Sequence, residues 1–131
     1  MNFLMVAAVA VGGFIALLFA FQLFMVFKMR RKEGKPAPSL DGKPGKLIEK
    51  GNRAVFYFYS PSCGACKAMT PVFRKMARTK KNVFPVDIST DMATARKFGV
   101  MATPTVIVVN NKTIEKVLIG PQPQATLQSL A

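Results

Sequence analysis

Hydrophobic positions follow two regimes along this chain. Residues 3–27 are almost continuously apolar, with Gln22 the one strongly polar side chain. Beyond them, apolar residues come as short runs and helical stripes separated by charge, proline and glycine. A helix of about 25 residues rising 1.5 Å each spans roughly 37 Å, more than the ~30 Å hydrocarbon core of a bilayer. The first regime therefore predicts one tilted transmembrane helix over residues 1–28. A cleaved signal peptide is the alternative. Against it, no charged n-region precedes the run, the run exceeds a usual h-region, and Ala8-Val9-Ala10 comes too early for a cleavage site.

The second regime begins with a basic, proline- and glycine-rich stretch over residues 29–46, which predicts a linker or an extended incoming strand. Residues 47–51 predict a short helical turn stopped by Gly51. Residues 54–59 are aromatic and apolar on both faces, the pattern of a buried central strand. Ser60-Pro61-Ser62 ends it. From Cys63 onward, Cys66, Met69, Val72, Phe73, Met76 and Ala77 recur at helical spacing, and Pro71 predicts a kink. Residues 83–88 predict a second strand, with Pro85 out of character there. A helix over residues 92–98 is capped by Asp91 and closed by Gly99. Residues 105–109 predict a third strand, 110–112 a turn, 113–119 a hairpin partner, and Leu127 and Leu130 a short terminal helix. Strand and helix alternate before a closing hairpin, which argues for an α/β domain over residues 47–131 with a mixed sheet and helices on both faces. The chain of 131 residues leaves room for one such domain.

Charge changes the picture in one respect. The formal net charge is +13, with no histidine. Basic residues are spread along the chain, no nucleic-acid reader motif is present, and the densest group follows the apolar run, so no nucleic acid is expected as partner. Lys28, Arg30, Arg31, Lys32 and Lys35 suit anionic headgroups of a lipid bilayer instead. By the positive-inside rule they place the C-terminal domain on the cytoplasmic side. A periplasm-facing domain is the alternative, because long domains can override the rule.

Chemistry concentrates in Cys63-Gly64-Ala65-Cys66, which holds the only two cysteines. Closing so short a loop removes little chain entropy, so the pair is a poor structural staple. Zinc usually takes four protein ligands, and two thiols without histidine supply half of them; a dimer sharing four thiolates is the metal alternative. The spacing favours reversible dithiol–disulfide chemistry, with no metal and no cofactor beyond the Cys63–Cys66 disulfide itself. The methionines fall mainly in the span or on a helix stripe and are read as packing.

With that pair on a strand-to-helix turn, and Ala102-Thr103-Pro104-Thr105 ahead of the third strand, the chain resembles the thioredoxin family over approximately residues 47–130. Pro71 five residues after the second cysteine, Phe98-Gly99-Val100, and Gly120 after the last strand also fit. The resemblance implies a thioredoxin-like fold with its first strand and helix abbreviated. It also implies a cis Pro104 that, with Gly64 and Ala65, shapes a groove, and a Thr103 backbone that pairs with extended substrate. There are departures. Tyr57 stands where the family usually carries a buried aspartate, and Pro85 where a partnering lysine is usual. Ser62 replaces a tryptophan, and Gly64-Ala65 a Gly-Pro.

Cys63, at a helix N-terminus, is expected to be the nucleophile, its pKa lowered by unpaired backbone N–H groups; Cys66, further in and more buried, resolves. The expected protein is a membrane-anchored protein-disulfide reductase acting on protein disulfides or dithiols. Its electron donor would be a thioredoxin reductase or a membrane thiol carrier. The alternatives are a periplasmic thiol reductase for cytochrome c maturation or similar clients, and a non-catalytic adaptor built on the same fold.

Overall fold

The computed structural model describes residues 2–130. Helix α1, Phe3–Arg30, is exposed along most of its length, and only Met29 in its last turn is buried. Twenty-eight residues make it about 42 Å long. Helix α2, Gly42–Glu49, is followed by β1, Ala54–Tyr59, and α3, Cys66–Thr79. Then come β2, Val83–Asp87, α4, Met92–Phe98, β3, Thr105–Asn110, β4, Thr113–Ile119, and α5, Gln124–Gln128. The sheet order is β2-β1-β3-β4, with β1 and β2 parallel and the other neighbours antiparallel. This is the mixed sheet flanked by helices that the alternation of elements predicts.

Strand β1 is central because its side chains are apolar on both faces. Phe56 and Phe58 point into one core with Ile48 of α2, Ala95 and Phe98 of α4, Ile107 and Val117. Val55 and Tyr57 point into the other, with Met69, Phe73 and Met76 of α3 and Leu127 and Leu130 at the C-terminal end. Pro85 is tolerated in β2 because β2 is an edge strand, where a missing ladder N–H costs little. The β3–β4 turn carries Asn111 and Lys112 at φ 53° and 66°, a left-handed pair that suits a two-residue hairpin.

Two elements differ from the sequence reading. Helix α2 starts at Gly42, ahead of the turn expected at residues 47–51, because Pro44 falls in its first turn, where no N–H is needed. Gly45 there packs on the Leu40 carbonyl so closely that a Cβ would collide. Helix α3 starts at Cys66, not Cys63, because residues 63–65 form a turn in which the Lys67 N–H donates to the Gly64 carbonyl.

The segment between α1 and α2 is held to the domain. The Gly34 and Ala37 amides donate to the Ile114 and Lys112 carbonyls, and the Ile114 amide donates to the Lys35 carbonyl. The extended incoming stretch expected within residues 29–46 makes a single antiparallel bridge, Pro36 with Thr113, on the outer edge of β4. Glu33 Oε1 accepts from the Val117 amide at 2.9 Å, and Lys32 Nζ donates to the Phe98 carbonyl at 2.6 Å. Burial, with Lys35 and Lys28 nearby, lowers the Lys32 pKa from its usual value.

Phe73 is fully buried and stacks on Tyr57 with ring centroids 4.3 Å apart. Phe73→Ala is expected to cost about 3–5 kcal/mol in denaturant titration of the full chain. The exposed Lys75→Ala should stay within about 0.5 kcal/mol.

Candidate active site

The C-terminal end of β1 delivers the chain to Ser60, and the Cys63 amide donates back to the Ser60 carbonyl. That turn sets Cys63 immediately before α3 and makes Cys66 the first residue of the helix. The two are joined as a disulfide with Cα atoms 5.3 Å apart. The Cys66 N–H donates to Cys63 Sγ at 3.2 Å. A free backbone donor and the positive end of the helix dipole both favour a thiolate at Cys63 once the bond is reduced. Cys63 is half-buried, whereas Cys66 is 2% exposed. One sulfur can therefore meet a partner while the other waits beneath it.

A groove of about 320 Å³ runs past both sulfurs, lined by Tyr59, Pro61, Lys67, Thr70, Arg74 and Asp87 among others. Arg74 lies over the Tyr59 ring at 6.0 Å and gives that wall positive charge. Asp87 is the carboxylate of the groove; its Oδ1 accepts from the Ser89 amide and hydroxyl at 2.9 and 2.6 Å. The Thr103–Pro104 peptide bond is cis. Thr103 is half-buried and Pro104 buried, while Gly64 and Ala65 are exposed on the turn. Because Thr105 of β3 pairs with Phe58 of β1, Pro104 lies at the same end of the sheet as the disulfide turn.

Sequence reading missed one feature of the site. Tyr57 reads as core, and its ring is indeed fully buried, yet its hydroxyl is engaged. It donates to the Cys66 carbonyl at 3.3 Å and lies 2.8 Å from Thr70 Oγ1. Since the single Tyr57 proton goes to the carbonyl, the Thr70 hydroxyl donates to Tyr57. The signal was positional: Tyr57 occupies the family's aspartate position, and Thr70 follows Cys66 by one helical turn. Burial raises the Tyr57 pKa above 10.0, opposed by the Thr70 hydrogen bond. A hydroxyl so tuned is a neutral donor near neutral pH. It holds the first turn of α3 but cannot take a proton as an aspartate would. Among the described residues no cluster of three or more His, Cys, Asp or Glu is arranged to hold a metal.

Comparison with known proteins agrees with this geometry. A model of the thioredoxin family matches residues 45–131, about two thirds of the chain. Thioredoxin of Bacillus subtilis is 32% identical over 76 residues, covering 56% of this chain and 73% of its own. Thioredoxin of Staphylococcus haemolyticus is 35% identical over 84 residues, covering 61% and 79%. The crystal structure of reduced Schistosoma mansoni thioredoxin pre-protein superposes with a TM-score of 0.54 at 28% identity, over 68% of this chain and 87% of that one. A cysteine pair at the head of a helix, at the end of a mixed sheet, defines a dithiol–disulfide centre. The chain belongs to the thioredoxin family and is a thiol–disulfide oxidoreductase, a class that works through its cysteine pair without a cofactor.

Tyr57→Phe removes two hydrogen bonds and is expected to cost about 1–2 kcal/mol in denaturant titration. A raised tyrosine pKa means the folded state holds that proton more tightly. The associated stability is full below pH 10 and is lost as pH rises through the folded value. Tyr57→Phe should flatten this alkaline decline, and tyrosinate absorbance should show one late-titrating group that the variant lacks.

Proposed function

We propose that this protein is a membrane-anchored protein-disulfide oxidoreductase, with α1 as the span and the domain on the cytoplasmic side. The observation that carries the chemistry is the Cys66 N–H directed at Cys63 Sγ from the start of α3. The reduced pair acts in two steps. Cys63 thiolate attacks one sulfur of a partner disulfide, forming the mixed disulfide and releasing the other partner sulfur as a thiolate, which takes up a proton. Cys66 then loses its proton and attacks Cys63 Sγ, closing the Cys63–Cys66 disulfide and releasing the second partner thiolate. Two electrons pass to the partner. The groove is roomy enough for water to reach both sulfurs, and Asp87 gives that water a carboxylate to which the Cys66 proton can pass. The Thr103 backbone pairs with the extended partner, and Pro104, Gly64 and Ala65 shape the groove that receives it. A thioredoxin reductase or a membrane thiol carrier returns the electrons.

The membrane reading rests on the length and apolar surface of α1 and on the basic residues after it. Among the described residues it is the one helix long and apolar enough to cross a bilayer. Residues 1–28 serve as the anchor and 47–131 as the redox domain, with 29–46 a hydrogen-bonded connection between them.

Insulin reduction with dithiothreitol should be abolished by Cys63→Ser, while Cys66→Ser should accumulate a mixed disulfide with the client; full turnover by Cys63→Ser would sink this mechanism. In intact cells an impermeant thiol reagent should leave Cys63 unlabelled after reduction. Rapid labelling would instead put the domain outside.

A further inference from the structure

The direction in which α1 leaves the domain fixes which end of the sheet faces the bilayer. Successive residues after the helix descend along β4 in reverse order. Glu33 meets Val117, Gly34 and Lys35 meet Ile114, and Ala37 meets Lys112. Continuing upward, Met25, Val26 and Met29 of α1 line one apolar groove with Ile119, the last residue of β4, and with Ala102. The incoming chain therefore runs antiparallel to β4, and α1 departs past the end where β4 stops. At that same end β1 and β2 finish and β3 begins. It is the end that carries the Cys63–Cys66 turn and the Thr103–Pro104 bond.

The attachment is not a loose tether. Met29 is 2% exposed in the domain core, and Lys32 and Glu33 are bonded to α4 and β4. Ala102 and Ile119 share one groove with residues of α1 from Phe19 to Met29, the C-terminal part of the apolar run that ends at Phe27. That part of the helix runs up to Lys28, where the apolar run ends, so these loops lie beside the boundary between hydrocarbon and headgroups. Loop chemistry follows the same polarity. Residues 60–65, 100–104 and 120–123 contain no charged side chain in a chain of net charge +13; the charges at this end are Asp91 in the fourth loop and Lys67, Arg74 and Asp87 along the groove. Exposed Met101 sits among them. The loops at the opposite end carry Lys50, Lys80, Lys81 and Lys112.

We infer that the disulfide face is held against the bilayer surface, and that its partner is an integral membrane protein presenting a cysteine pair at headgroup level. This deepens the proposed function and rests on α1 spanning the membrane. Exchange with that partner follows the two-step chemistry above in either direction, two electrons and two protons being transferred between the cysteine pairs. A large soluble client is disfavoured because the bilayer occupies the space in front of Cys63.

The chain has no tryptophan, so single tryptophans report depth without background. The full chain is placed in phosphatidylcholine vesicles containing acyl-chain-brominated phosphatidylcholine. Met101→Trp and Pro121→Trp should be quenched, and Lys81→Trp should not; Phe14→Trp, in mid-span, is the control. If Phe14→Trp is unquenched, the span fails and the inference with it. If Phe14→Trp is quenched while the other three respond alike, or Lys81→Trp responds most, the orientation alone is overturned. In the same vesicles the reduced wild-type chain is offered a membrane-spanning peptide with a disulfide loop at headgroup level. A second peptide lifts the same loop away on a long polar spacer. The first should oxidise the Cys63–Cys66 pair about tenfold faster, through its higher effective concentration. Equal rates, or a faster reaction on the spacer, would refute the assigned partner.

Discussion

Strand β1 has no face to give to water. Phe56 and Phe58 on one side and Val55 and Tyr57 on the other are all within 1% of complete burial. Such a strand demands cover on both faces, and α2 and α4 supply one layer while α3 and α5 supply the other. The chain must leave the strand abruptly to provide that cover, and Ser60-Pro61-Ser62 is where it turns. The cysteine turn is thus a product of the core: the redox pair sits where a doubly buried strand hands over to the helix that buries it.

Much of this was legible in the residues. Val-Phe-Tyr-Phe could only be a strand covered on both sides, and Asp91 and Gly99 bracket α4 with local chemistry that leaves little freedom. Asp91 accepts from the Thr94 amide, and Gly99 takes the left-handed conformation that ends the helix. The Thr113–Ile119 hairpin partner was readable from its turn and alternation. What could not be read was set by long-range contact. Lys32 and Glu33 look like any juxtamembrane charges, and only the folded structure brings them to Phe98 and Val117, 66 and 84 residues away. Likewise Gly42-Lys43-Pro44-Gly45 has linker composition, and packing of Gly45 on Leu40 makes it helix.

The candidate site divides in the same way. Cys63 and Cys66 declare themselves by spacing, and Thr103-Pro104 by its place before a strand. The tuning groups do not. Tyr57 differs from its neighbours Phe56 and Phe58 by one oxygen, and a linear sequence cannot show that this oxygen ends beneath the Cys66 carbonyl. A hydroxyl pair in place of an acid ties down the first turn of α3, and in the proposed mechanism proton traffic falls to the solvent side of the groove. Two members of one family can thus share the nucleophile and differ in how the second thiol is activated.

Sheet edges have a further meaning if, as proposed, α1 anchors the protein and its copies concentrate on one surface. An open strand edge is a template for pairing with another chain, and two-dimensional crowding makes such encounters frequent. Here β4 is capped along its outer side by the Pro36–Thr113 bridge and its flanking hydrogen bonds. The opposite edge, β2, has a proline at its centre. Proline offers no donor on either margin, at Pro36 or at Pro85. Neighbouring copies could then be packed side by side without zipping into a continuous ribbon.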